Sequence, residues 1–326
     1  MPRLSLRRTV RDERGASAVL VALLMVPLIG FAALAVDIAA VYSERQQLQS
    51  GADAAALAIG HDCADGSCDL DPQATADDLG DANYDEAGSV RGTSVVAIDM
   101  AASEVTVTNP GTQDHWFAPV LGETSTDVSA SATVRWGAPG GGAAVLPLAL
   151  SYCAFQQQTG GGLPTAETPQ VIDFTKADET EGCTGPSNLE VPGGFAWLDT
   201  DPGVCGATTT VDGVVGSSTG NSVPQECTPE YFEGLIGQTV LLPIFDAEGG
   251  TGSNAEYTIY GYAAFTLTGY NFGGQYKSTP TVQCGGTGSS GRCIEGFFTM
   301  YVDSTDDFDY DPTAPDLGGR VVQLVA

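Results

Sequence analysis

From Ala16 to Val36 the chain reads ASAVLVALLMVPLIGFAALAV, 21 residues without a charge. A helix needs about 20 such residues to cross the ~30 Å hydrocarbon core of a bilayer. Pro27 and Gly30 interrupt the run, but both residue types are commoner in spanning helices than in soluble ones. The pattern therefore predicts a transmembrane helix over 16–36, too long for the apolar region of ~7–15 residues in a cleaved secretory signal. Beyond it, Asp37 to Ile59 is rich in Ala, Leu and Gln and lacks Pro, which favours continued helix. Val41, Leu48, Ala52, Ala55 and Ile59 recur at helical spacing and form one apolar stripe suited to core packing against a sheet or a partner helix.

The period then changes. Gln73 to Glu86, preceded by Asp71 and Pro72, reads as a second helix with a capping residue and a first-turn proline, its inward positions being Ala74, Leu79 and Tyr84. Thr93–Met100 and Glu104–Thr108 read as a hairpin, and Thr126–Trp136 alternates as a third strand. Asn109-Pro110-Gly111 should break the chain, and His115-Trp116-Phe117 opens a short apolar segment. Helices on a three-stranded sheet are expected for this region, 37–136. Gly137–Ala144 (GAPGGGAA) reads as a linker. Residues 145–326 then form a mostly β outer region, with strands at Val145–Leu150, Val171–Thr175, Val211–Val215, Thr239–Phe245, Tyr257–Gly269, Gly296–Val302 and Arg320–Val325. The class is α+β: one spanning helix continuing into a helix plus small sheet, then a β-rich disulfide-bonded domain.

Charge orients this arrangement. Arg3, Arg7, Arg8, Arg11 and Arg14 precede the span and Asp37 ends it, so the positive-inside rule places 1–15 in the cytoplasm and the bulk of the chain outside a cell membrane it crosses once. With 41 Asp and Glu against 12 Lys and Arg, the net charge of −29 excludes nucleic acid as a partner, because polyanion binding works by counterion release to basic side chains. All eight cysteines follow the span, and an even number in an exported chain reads as disulfides. Cys63 with Cys68 and Cys284 with Cys293 are close enough in sequence for local bridges, while Cys153, Cys183, Cys205 and Cys227 pair among themselves in an order that sequence leaves open. Zinc is disfavoured, since there is no C-x-x-C pair.

The run RGASAVLVALLMVPLIGFAALAVDIAAVYSERQQLQSGADAAALA, residues 14–58, resembles the N-terminal domain of TadG-like proteins of the Flp (Tad) pilus-assembly system. The resemblance is carried by Arg14-Gly15-Ala16, Pro27, LAVD ending at Asp37, Tyr42, Arg45 and LQSGADAAALA from Leu48 to Ala58, with Ala39 where the family often has Gly. It implies a membrane-anchored accessory role in assembling a surface pilus, with no catalysis assigned, and the outer domain is expected to contact pilins, other Tad assembly proteins or the cell wall. Two alternatives stand beside it. One is a minor pilin or pseudopilin incorporated into the fibre, although a leader cut after Gly15 would leave Leu20 where such chains carry Glu. The other is a surface glycan-binding or hydrolytic module in the outer region.

Several short motifs bear on chemistry. Asp127-Val128-Ser129-Ala130-Ser131 spells the D-x-S-x-S metal motif but alternates like a strand. Gly216–Gly220 matches G-x-S-x-G, yet both histidines, His61 and His115, precede it, against the order of a nucleophile-elbow hydrolase. Gly286–Gly291 matches G-x-G-x-x-G between two cysteines rather than at a strand-to-helix turn. Asp303, Asp306, Asp307, Asp309 and Asp311 crowd five carboxylates together. Of these Asp307, Asp309 and Asp311 are the candidates for Ca²⁺, although Pro312 and Gly318 occupy the positions where an EF-hand has Gly and Glu. No catalytic or cofactor-binding residue is assigned.

Overall fold

The computed structural model describes residues 14–68, 71–85, 89–174, 182–217, 222–250, 254–285, 291–304 and 307–325. The first helix, α1, runs unbroken from Arg14 to Ala64, 51 residues with Pro27 inside it. The second, α2, spans Pro72–Ala82, with the Asp71 side chain accepting the Ala74 N–H and Pro72 in its first turn, as the capping signal predicted. Ala76 and Gly80 are its buried residues. Leu79 and Tyr84 pack at the edge of the core, whereas Ala74 is exposed.

Behind these helices lie β1 (Ser89–Arg91), β2 (Val95–Asp99), β3 (Glu104–Asp114) and β4 (Ser125–Gly137). β3 and β4 pair antiparallel from Glu104 opposite Arg135 to Asp114 opposite Ser125. The expected break at Asn109-Pro110-Gly111 does not occur, because β3 continues through it. Gly92 donates to the Pro110 carbonyl at 2.9 Å, so the edge on which Pro110 lacks an N–H faces the gap between β1 and β2, where no ladder donor is required. Asn109 is fully buried, accepting from Ser94 Oγ and donating to the Leu48 carbonyl. The D-x-S-x-S residues are an interior stretch of β4, paired along their length with β3.

The sheet is not three-stranded. Gly319–Val325 pairs antiparallel with β4, and Tyr301–Asp303 pairs parallel with that strand, which makes six strands in all. The C-terminal strand assigned to the outer region thus completes the inner sheet. The upper half of α1 lies on this sheet through Ala52, Ala55, Ala56, Ile59 and Cys63, against Val105, Val107, Val134, Trp136 and Val322. Small residues set the approach: a Cβ at Gly60 would stand 2.6 Å from Val134 Cγ1.

The segment read as a linker is also a strand. β5 (Pro139–Ala144) pairs on one side with Ala207–Thr210 and on the other with Phe308–Tyr310. Glycine is needed there for close packing, since a side chain at Gly142 would run into the Phe308 ring. The rest of the chain builds an eight-stranded sheet around the long strand Ala255–Gly273, flanked by Thr239–Gly249 and Cys293–Thr299. Its core is aromatic, with Trp197, Phe232 and Phe272 in edge-to-face contact, an arrangement the ring quadrupoles favour. The eight cysteines form four disulfides: Cys63–Cys68, Cys153–Cys183, Cys205–Cys227 and Cys284–Cys293.

Candidate membrane-proximal site

α1 has two unlike halves. Among its described side chains, those from Ala18 to Val36 are exposed apart from the half-buried Ala33, with Leu23 at 70 % and Phe31 at 71 % exposure. This stretch is long and apolar enough to cross a membrane, and none of its most apolar window is buried against the rest of the protein. The first buried side chain on the helix is Asp37, followed on the same face by Glu44 and Leu48.

Asp37 is covered by the loop that leaves β3. Its Oδ1 accepts the Trp116 N–H at 2.9 Å and the Phe117 N–H at 3.3 Å, while its Oδ2 accepts the Ala118 N–H at 2.7 Å. The carboxylate therefore closes the start of the short 3-10 turn Ala118–Leu121, satisfying donors that have no partner within the turn. Burial pushes the Asp37 carboxyl up, but the three backbone donors and the nearby His115 outweigh it and hold the group below its usual 3.8. Between loop and helix is an apolar cleft of about 230 Å³, lined by Ile29, Gly30, Ala33 and Leu34 below Asp37 and by Phe117, Val120 and Leu121 opposite.

One step further along the helix is a polar cleft of about 220 Å³, bordered by Ser43, Glu44, Gln47, Asp85, Ser89 and Trp116. The Glu44 side chain is 2 % exposed, and its Oε1 has no hydrogen-bond partner. Gly111 leaves room for it, because a Cβ there would lie 2.6 Å from that oxygen. Nearby, Gln47 Oε1 accepts the Asp85 N–H at 2.8 Å.

This helix is also where the chain is similar to known proteins. Residues 15–60 match the family described as putative Flp pilus-assembly TadE/G-like. The TadE/G-like segment thus contains the whole uncharged apolar run, Asp37, Glu44 and the Ala-rich stripe that seats on the sheet. No curated protein matches the chain, and no solved structure matches it. The likeness to Tad pilus-assembly proteins thus falls on the helix that is also the candidate membrane span.

Among the described residues, the other candidates do not gather into a site. Asp309 lies in the strand Phe308–Tyr310 and accepts from Gln323 at 3.3 Å. Asp311 accepts from the Thr313 hydroxyl and N–H, which hold its carboxyl below the usual range. Asp307 is exposed, and Asp306 lies outside the described residues. Among the described residues, the three ligand-bearing side chains that do converge within 4.8 Å are Asp173, Cys284 and Cys293. Both of those thiols are consumed in a disulfide, so they offer no thiolate to a metal. Ser217 ends the strand Val214–Ser217 and is buried. Gly216 lies in the same strand, whereas Ser218, the serine of G-x-S-x-G, with 219 and 220, and most of G-x-G-x-x-G lie outside the described residues.

Sequence reasoning placed the apolar stripe of α1 correctly but missed Asp37 and Glu44 as its first two members. Asp37, Val41, Glu44 and Leu48 are spaced by four, three and four, so the helical period was there. The charges argued for solvent and hid it.

Proposed function

We propose that the protein is a membrane-anchored structural component of Flp (Tad) pilus assembly, acting outside the membrane through contacts with other Tad proteins or pilins rather than through catalysis. The observation that carries this reading is that the TadE/G-like match covers residues 15–60, on the helix that is long and apolar enough to cross a bilayer and that forms one side of the inner core. The Arg-rich start of the chain supports a cytoplasmic N-terminus, and four disulfides support an oxidising compartment for the remainder. The acidic outer surface fits protein or cell-wall contacts and not nucleic acid.

Deletion of the gene should abolish or sharply reduce surface pili counted by electron microscopy, and the full chain supplied in trans should restore them. Unchanged piliation in the deletion strain would overturn the proposal. A second reading, incorporation into the fibre itself, is favoured by the unburied apolar half of α1, which would pack as well against copies of itself as against lipid. Recovery of the chain in sheared, purified pili, with an N-terminus beginning at Ala16, would replace the anchored reading with this one.

A further inference from the structure

We propose that the loop Trp116–Gly122 is a second membrane contact: an apolar wedge that enters the outer leaflet alongside the spanning helix and sets how close the folded domain sits to the bilayer. The inference rests on the membrane span and not on the pilus role.

Position makes the first argument. The loop faces Ile29, Gly30, Ala33 and Leu34, all within the uncharged run that ends at Val36. Ile29 lies about 10 Å below Val36 along a helix that rises ~1.5 Å per residue. A bilayer that holds residues 16–36 therefore already holds the space the loop occupies. Exposure makes the second. Trp116, Phe117, Val120 and Leu121 are 68, 47, 91 and 81 % exposed, and no charged residue lies between His115 and Glu123. In water this would be a costly patch. At a bilayer interface an exposed indole with aliphatic neighbours is the ordinary composition.

The backbone makes the third. Irregular chain enters lipid only when its polar groups are satisfied internally. Here Trp116, Phe117 and Ala118 donate to Asp37, Pro119 has no N–H, and Val120, Gly122 and Glu123 donate to carbonyls of the same loop. His115 donates to Thr124 across its neck. Asp37 thereby supplies acceptors at the level where the helix leaves the hydrocarbon, and these N–H groups of the loop need no partner from water.

The test uses the full chain reconstituted in phosphatidylcholine–phosphatidylglycerol vesicles, with part of the phosphatidylcholine brominated on its acyl chains. The protein has three tryptophans, and two of them, Trp136 and Trp197, are buried at 6 and 0 % exposure, so bromine contact reports on Trp116. Brominated lipid should lower and blue-shift the emission. That quenchable part should vanish in Trp116→Phe, and it should fall in the Val120→Asp, Leu121→Asp double variant while the chain still resists carbonate extraction. Trp116 open to aqueous iodide and indifferent to brominated lipid, in a chain that resists carbonate, would overturn the wedge but leave the anchor standing. Shielding from both quenchers would also overturn it, indicating another protein segment in the cleft. Extraction by carbonate would overturn the anchor and the wedge together.

Discussion

The two halves of α1 bury opposite things. Below Asp37 the helix exposes Leu23, Val26, Ile29 and Phe31, and above it the helix hides Asp37 and Glu44 together with Leu48 and Ile59. Continuous backbone joins them, so the difference lies in the solvent each half meets. The lower half is apolar all round, as a helix surrounded by lipid must be. The upper half has one face of Ala and Gly fitted to a sheet, and its apolar surface is removed from water by β3 and β4. A given aliphatic side chain should therefore contribute very differently on the two sides of Asp37.

The largest effect comes from making the same change in both halves. Ile59 is 2 % exposed inside the helix–sheet core, whereas Ile29 is 64 % exposed. Ile59→Ala should lower unfolding free energy by about 2–5 kcal/mol, through lost burial and the cavity left behind. Ile29→Ala should leave the denaturant midpoint of the folded domain nearly unchanged. Equal losses in a urea titration followed by near-ultraviolet circular dichroism would break the contrast. A charge reverses the ranking. Leu28→Arg should cost about 3 kcal/mol of membrane insertion on the biological scale, read as a larger carbonate-soluble fraction, with the folded domain as stable as before.

Much of this contrast was legible in advance, since an uncharged run and a small-residue stripe are local patterns. What escaped was non-local or disguised. Gly319–Val325 was recognisable as a strand, but nothing nearby in the chain says that it pairs with β4. Gly137–Ala144 has a linker's composition, and only the Phe308 ring packed against Gly142 explains why a paired strand needs those glycines. Pro110 reads as a breaker until its missing donor is seen to face the gap between two edge strands. The site escaped for a related reason: Asp37 and Trp116 are 79 positions apart, and a carboxylate on an apolar face looks solvated unless the loop that caps it is known.

The junction between the halves offers a smaller effect with a definite sign in pH. The Asp37 carboxyl is held below 3.8 by the loop's backbone donors and His115 against the opposing pull of burial. A carboxyl with a depressed folded value lends stability above its unfolded value and loses it as pH falls through the folded one. Loop attachment should accordingly be complete at neutral pH and fade only below 3.8. Its loss is measurable as faster amide exchange at Trp116, Phe117 and Ala118 and a change in Trp116 emission. Asp37→Asn, which keeps one acceptor and removes the charge, should weaken amide protection at neutral pH and erase its acid dependence. A loop equally protected at all pH values in the wild-type chain would show that packing against Ala33 and Leu34, and not the carboxylate, holds it.

Glu44 should give the smallest change, and in the other direction. A buried carboxyl oxygen that finds no donor forgoes a hydrogen bond that it would make with water. Glu44→Gln keeps the shape, removes the charge and places an N–H₂ or a neutral oxygen in the cleft beside Ser43 and Ser89. The folded domain should gain up to about 1 kcal/mol, the scale of one satisfied hydrogen bond, visible as a modest rise in denaturant midpoint with the m-value unchanged. A fall in the midpoint instead would mean that the carboxyl group is stabilised where it stands, and that the upper half of α1 holds Glu44 on its buried face for a reason other than packing.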